Sequence, residues 1–249
     1  MSIIIKSAQE IALMREAGKI VAHTLILLVD KIAPGIITGE LDPIVEREFE
    51  KYNAIPSFKG YRGFPASLCV SVNDEVVHGI PGERVLLEGD IVSLDLGAIF
   101  NGFQGDAAVT VGVGWIRPEA KRLIEVTSGA LQAGIDKARN GARLGDVSAA
   151  IQEYVESRGF SVVREYVGHG IGRAMHEEPQ IPNFGVPGRG PLLQKGMALA
   201  LEPMVNAGSW LTRVKENNWT VVTADRSLSA HFEHTIAITD GEAEILTRP

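Results

Sequence analysis

From Ser7 onward, apolar residues recur at Ile11, Met14, Ala17, Val21, Leu25 and Leu28, three or four positions apart. That spacing keeps one face of a helix apolar and predicts an amphipathic helix. Ser7-Ala-Gln-Glu10 suits its start: Ser and Glu three apart can each bond the other's free backbone N–H. Pro34-Gly35 is the expected stop. A second helix is expected from Thr38 through LDPIVEREFEKY. The next stretch, PSFKGYRGFPASLCVSVNDEVVHGIPGERV, is rich in Gly, Pro and aromatics and reads as loop and short strand. Strict alternation then takes over in DIVSLDLGAIF and FQGDAAVTVGVG, on either side of Asn101-Gly102. Two β-rich runs around Asn-Gly predict a hairpin with a type I′ turn. Its register would pair Phe100 with Phe103, Gly97 with Asp106 and Asp95 with Ala108. The second half keeps the same order. A helix is expected from Pro118 to about Ala138. Another is capped by Asp146, runs through Ser157 and is closed by Gly159. Then come FSVVREYVGHGIG, a Pro/Gly-rich loop over 179–191, MALALEPMVNAG, WTVVTADRS and HFEHTIAIT.

Helix, helix, strands and hairpin thus occur twice, and short motifs recur with them. His-Gly-Ile stands at His78 and again at His169. Gly89 lies six residues before Asp95, and Gly196 six before Glu202. Asp106 and Glu233 each open an alternating run that reaches Gly eight positions on. Three elements in the same order suggest an internal duplication, about 7–115 and 118–245, related by a pseudo-two-fold axis. No linker-like stretch divides the halves, so one domain over 1–249 with a shared core is expected. Strand parity places the acids. Asp95 shares a face with Ser93 and Gly97, opposite Val92, Leu94 and Leu96; Asp106 lies with Ala108 and Thr110. Glu202 lies with Ala198 and Ala200, and Glu233 with Thr235 and Ala237. Asp95 and Asp106 become diagonal neighbours, with Cα atoms about 7–8 Å apart. Unneutralised carboxylates there would repel and raise a pKa, and a divalent cation removes the conflict.

Composition narrows the class. With 249 residues, 45% hydrophobic and 22% charged, the chain can bury a substantial core. A net charge of −7 argues against a nucleic-acid footprint. Cys69 is the single cysteine, which excludes an internal disulfide and a thiolate zinc site and fits a reducing cytoplasm. The longest apolar run, Thr24–Val29, is too short to span a bilayer, and MSIIIKSAQE lacks a signal-peptide core. A carboxylate-rich ligand set with imidazole and no thiolate favours Mn, Fe, Co or Zn in a paired, hydrolytic site.

Asp95, Asp106, His169, Glu202 and Glu233, in that order, resemble the five metal ligands of the pita-bread metallopeptidases. GYRGFPASLCVSVNDEVVHGIP, GHGIGRAMHEEPQIPNFG, LALEPM and WTVVTADRSLSAHFEHTI resemble type I methionine aminopeptidases over nearly the whole chain. The resemblance implies an α+β pita-bread fold, with two related halves around an antiparallel sheet flanked by helices. It implies metal-dependent removal of N-terminal methionine from nascent proteins and peptides, with a small second residue preferred. Asp106 and Glu233 would bridge two divalent metals, Asp95 would bind one, and His169 and Glu202 the other. A metal-bridged hydroxide would attack the scissile carbonyl. His176 would steady the oxyanion, His78 would contact substrate near the scissile amide, and Glu202 would also shuttle a proton. Tyr61, Phe64, Cys69, His78, Met175, His176 and Trp219 would bind substrate, in an apolar pocket suited to a thioether. Phe64 and Met175 depart from family versions with Tyr and Phe there, and Phe58 stands where a smaller residue is common.

The remaining features read as structural. His23 sits in the first helix. His231 and His234 flank Glu233, and His234 faces away from it by parity, which suits packing or support of the ligands. HEEP at His176 lacks the second His of a zincin helix, and GHGIG lacks a following helix. Cys69 reads as a wall residue, not a nucleophile. One rival is a proline-specific aminopeptidase or dipeptidase of the same superfamily, which would usually carry a further N-terminal domain. Another is a noncatalytic pita-bread binding protein, which would have lost ligands. A monomer is expected, with no specific nucleic acid or membrane partner. Any transient ribosome contact would use the domain surface.

Overall fold

Ser7 caps helix α1 (Ala8–Val29) as its sequence predicts. Its hydroxyl accepts the Glu10 N–H at 3.3 Å, and the Glu10 carboxylate accepts the Ser7 N–H at 2.9 Å. Every position of the predicted stripe is buried. The helix stops before Pro34. Lys31 and Ile32 bond back to Leu28 and Val29, tightening the last turn. The computed structural model describes residues 2–249.

The second helix does not start at Thr38. Thr38–Glu40 is a separate 3-10 turn, and α2 spans Asp42–Lys51 with Pro43 in its first turn. A missing N–H is harmless there. Thr38 is occupied elsewhere: its hydroxyl both accepts from Gly82 N and donates to Gly82 O. Helix α3 runs Pro118–Lys137 as expected. Helix α4 runs Leu144–Glu156, so Asp146 is not its cap but lies inside the first turn. From there its carboxylate accepts the Arg143 N–H at 2.8 Å and the Gly188 N–H at 2.7 Å.

The main sheet comprises β1 (Ile55–Pro56), β2 (Cys69–Val72), β4 (Ile91–Phe100), β5 (Phe103–Gly112), β7 (Gly168–Gly170), β8 (Glu177–Ile181), β9 (Ala198–Leu201), β14 (Glu233–Ala237) and β15 (Glu244–Ile245). Its order is β1-β4-β5-β14-β9-β7-β8, with β2 on β4 and β15 on β14, and every pairing is antiparallel. Two small sheets flank it: β6 (Ser161–Val162), β10 (Met204–Asn206) and β13 (Ser229–His231), then β3 (Glu75–Val77), β11 (Thr212–Val214) and β12 (Val221–Thr223). The β4–β5 hairpin has the predicted register, including Phe100 with Phe103, Gly97 with Asp106 and Asp95 with Ala108. Asn101 and Gly102 hold φ values of 48° and 78°, as a type I′ turn requires.

The four helices cover one face of the main sheet. Leu28, Val45 and Phe49 from α1 and α2 pack with Val92, Leu94 and Leu96 of β4. Leu123, Leu131, Val147 and Ile151 from α3 and α4 pack with Leu199, Leu201 and Ile236 of β9 and β14. The apolar parity class of β4, β5, β9 and β14 therefore faces helices. The small and acidic class faces the other way. Among the described residues no helix is long and apolar enough to cross a membrane.

Candidate metal centre

Register alone brings the predicted acids together. In one row across the sheet, Cys69 pairs with Asp95, Asp95 with Ala108, and Ala108 with Glu233. Glu202 follows β9 directly, one step beyond the Leu201–His234 pair, and so stands opposite Glu233. Two residues along, a second row holds Gly97 against Asp106, and Ala200 against both Thr235 and His169. Thr235 closes the gap between β14 and β5. Its hydroxyl accepts the Asp106 N–H at 2.9 Å and donates to the Asp106 carbonyl at 2.8 Å. The members of these rows that carry no acid or imidazole are Cys, Ala, Gly and Thr, which leave space above the sheet.

Five expected ligands thus converge from β4, β5, β7, β14 and the end of β9. Asp106, His169 and Glu233 are buried and each offers one ligand atom within 4.8 Å of the other two. Glu202 Oε1 lies 3.6 Å from His169 Nε2. Asp95 lines the same cleft without joining the tightest group. His169 Nδ1–H donates to the Gly170 carbonyl at 2.9 Å, which leaves Nε2 as a free lone pair facing the acids.

The electrostatics demand a counter-charge. Burial, reinforced by Asp106, pushes the Asp95 carboxyl well above its ordinary range. Burial pushes Asp106 up to about 7. Burial and the neighbouring acids raise Glu202 and Glu233 as well. Asp95 Oδ1, Asp106 Oδ1 and Glu233 Oε1 are buried with no hydrogen-bond partner. Buried polar atoms are rarely left unpaired. Orphaned oxygens beside a free imidazole nitrogen are the donor set that a borderline divalent cation takes. The residues fit the metal their resemblance implies.

Two further imidazoles lie beside the acids and His169. His78 sits in a left-handed conformation, φ 59°, which is strained for a side chain of its size. The following Gly79 permits it: a Cβ there would lie 2.0 Å from the Val70 carbonyl oxygen. Burial, then the field of His176, depresses the His78 pKa to about 4. His176 stacks on Tyr61, whose hydroxyl lies 2.8 Å from His176 Nδ1, and its ring centroid is 4.3 Å from that of His169. Burial, then Arg62, lowers its pKa too. All three rings lie beside the acids without the charge to neutralise them, for burial also holds His169 near pKa 3.

The cleft above the acids has a volume of about 190 Å³. Every residue expected to bind substrate lines it: Tyr61, Phe64, Cys69, His78, Met175, His176 and Trp219. Phe64 meets Trp219 edge to face at 5.2 Å, closing one wall. Burial pushes the Cys69 thiol well up, so it stays protonated as a wall group. Phe58, Arg62, Tyr166 and Val167 also line the cleft, the last three beyond the residues expected from sequence. Tyr166 packs edge to face on His78 at 5.9 Å. Its signal was available, since it stands three residues before His169 in YVGHGIG. His231, placed beside Glu233 by the sequence as a structural residue, is fully buried, with Nε2 3.7 Å from Glu202 Oε2. His234 follows parity, turning away to bond Thr247 Oγ1 at 2.8 Å.

Comparisons with known proteins agree with this geometry. Residues 12–240 match metallopeptidase family M24. Methionine aminopeptidase of Clostridium acetobutylicum is 58% identical over 246 residues, 98% of this chain and 98% of that protein. The crystal structure of methionine aminopeptidase from Thermotoga maritima superposes with a TM-score of 0.98 at 52% identity, covering 100% of both chains. Prolidase from Pyrococcus furiosus superposes with a TM-score of 0.81 at 22% identity, over 99% of this chain and 66% of that one, a likeness of fold alone.

Proposed function

This chain belongs to metallopeptidase family M24 and has the pita-bread fold, and on that premise we propose that it removes the N-terminal methionine from peptides and nascent proteins. The observation that carries the reading is a ring of buried, unpartnered carboxylates directly beneath an apolar, aromatic-walled cleft. Divalent metal use follows from the family. Two ions, drawn from Co, Mn, Fe or Zn, would be held by Asp95, Asp106, His169, Glu202 and Glu233. When bound they supply Lewis acidity and bring the pKa of water toward neutrality.

The chain's own groups do the rest. Tyr61, Phe64, Cys69, Met175 and Trp219 take the methionine side chain out of water, and that burial orients the scissile amide over the carboxylates. The Tyr61 hydroxyl lies 2.8 Å from Nδ1 of the neutral His176 ring, and by donating there it would fix the Nε2–H tautomer. That N–H is aimed where negative charge grows on the carbonyl oxygen. His78, also neutral and lining the cleft, contacts the amide as well. Glu202, at the end of β9 beneath the cleft, takes the proton from water and passes it to the leaving amine. A small second residue is preferred, on the strength of the family. Cytoplasmic action is supported by a single free, buried cysteine.

The rival within the fold is cleavage of Xaa-Pro peptides. The apolar pocket favours the methionine reading, because one methylene changes apolar binding by only about 1–3 kcal/mol while a buried unpaired charge costs more. Rates on Met-Ala-Ser, norleucine-Ala-Ser, Lys-Ala-Ser and Xaa-Pro peptides decide. Met and norleucine should be cleaved comparably and Lys poorly. Equal cleavage of Lys-Ala-Ser removes the pocket, and fast Xaa-Pro cleavage whatever the first residue hands the chain to the rival.

A further inference from the structure

Glu177 follows His176 and opens β8, and both of its carboxylate oxygens are engaged. Oε1 accepts the backbone N–H groups of Arg173 at 3.0 Å and Ala174 at 3.3 Å. Oε2 accepts Lys6 Nζ at 2.6 Å. Lys6 Nζ also donates to the Ile4 carbonyl at 3.1 Å. The two side chains are 3% and 7% exposed, so this is a buried ion pair, unlike most of the exposed charge pairs on the molecule. Such pairs add little net stability but cannot lose one partner without leaving a bare charge in the interior.

The surroundings are shaped for this pair. A Cβ on Gly172 would lie 2.5 Å from Glu177 Oε1 and 2.6 Å from Lys6 Cε. The segment ahead of α1 is itself pinned: Lys6 N donates to Gly196 O at 2.8 Å, and a Cβ on Gly196 would strike Lys6 O at 2.7 Å. From β5, Gln104 N donates to Gly172 O at 2.8 Å and Gln104 Nε2 to Arg173 O at 3.3 Å. The turn over 172–176 is thus gripped from both sides. It presents Met175 to the pocket and His176 to the cleft. Beyond the backbone, His176 has one side-chain hydrogen bond, to Tyr61. Its aim depends on the turn beneath it.

We propose that Lys6 and Glu177 are positioning residues for His176, through which the segment preceding α1 sets the aim of the imidazole over the carboxylates. The proposal rests on reading His176 as the substrate-side imidazole. Glu177 defines the turn through two N–H bonds, and Lys6 keeps that carboxylate dry. Without the lysine, the charge is drawn toward water and takes the turn with it. Lys6 itself bonds Ile4, Gly196 and Glu177 and none of the five expected metal ligands, so metal content should be retained.

The test uses the full metal-loaded chain with Lys6→Met, Glu177→Gln and the double variant. Side-chain ¹⁵N resonances of the histidines report ring placement, beside kcat, KM and metal stoichiometry. Lys6→Met should shift or broaden the His176 resonance, leave that of His169 in place and keep full metal content. It should lower kcat by about 10–100-fold with KM nearly unchanged, the scale of a small misplacement of a catalytic group. The double variant removes the orphaned charge yet keeps an amide oxygen for the turn, so it should recover most of both signals. It also stands in for the single variant should Lys6→Met fail to fold. An unchanged His176 resonance and unchanged kcat in Lys6→Met overturn the proposal. So does a loss of kcat that the double variant fails to rescue, with a lower melting temperature and an unmoved His176 resonance. His176→Ala separates the two readings. If it keeps full turnover, the oxyanion role falls, and the His176 resonance alone then decides the positioning claim.

Discussion

At Gly97 a single missing methyl group sets the width of the pocket. A Cβ there would lie 2.8 Å from Ser57 Cβ, 2.9 Å from Met175 Cε and 3.0 Å from Phe58 Cε1. Gly97→Ala should push Met175 and Phe58 into the cleft and raise KM for Met-Ala-Ser by at least about 10-fold, the scale of one misfitted methylene. Metal content should be unchanged, because Asp106 across the pair keeps its backbone. Steady-state kinetics check this, and an unaltered KM would place the methionine side chain elsewhere. Gly97 was already legible as a small residue sharing a face with Asp95, since alternation fixes faces without any tertiary knowledge. The proximity of His231 to Glu202 was not. It depends on β13 reaching Thr110, whose hydroxyl accepts the His231 N–H at 2.9 Å and donates to its carbonyl at 2.8 Å. No local pattern announces that contact.

Among the elements, the β4–β5 hairpin was the most legible, because a two-residue Asn-Gly turn determines its own register. Helix ends were less so. Asp146 has the chemistry of a cap, but the backbone turns helical two residues earlier and it serves the third position instead. Thr38 is likewise drawn away by Gly82. Helix α1 hides a stronger constraint. A Cβ on Gly18 would lie 2.2 Å from the Leu246 carbonyl oxygen, and one on Gly105 of β5 would lie 2.7 Å from Gly18 N. Helix, sheet and the chain's C-terminal segment meet there backbone to backbone. A glycine inside a helix reads as a weakness in sequence, since its reason lies 228 residues away. Gly18→Val should cost about 2–4 kcal/mol through overpacking. Melting temperature should fall by about 4–16 °C, with kcat preserved well below it. A melting point equal to the parent's would mean that α1 can shift freely.

At the scale of the whole molecule, the sheet separates two environments. Its apolar face is sealed by four helices, and its other face concentrates four carboxylates in a site with a single lining cation, Arg62. Without metal, burial keeps protons on that site at neutral pH, with Asp106 at about 7 and its neighbours also raised. A cation must displace those protons to bind. Loading should therefore release protons, and apparent affinity should rise with pH between about 6 and 8. Calorimetric titrations in buffers of different ionisation heat should differ in slope accordingly, while buffer-independent heats would mean that the carboxylates are already ionised. Sequence showed which residues face the centre. It could not show how completely burial isolates them, because burial belongs to the packed sheet and helices together.

The measurement that tests metal-dependent methionine removal most directly is the rate of methionine release from Met-Ala-Ser before and after exhaustive chelation and dialysis, and again after adding Mn²⁺ or Co²⁺. The carboxylate centre predicts a rate at background in the stripped protein and recovery on addition of the ion. Full activity in protein shown to be metal-free would contradict it.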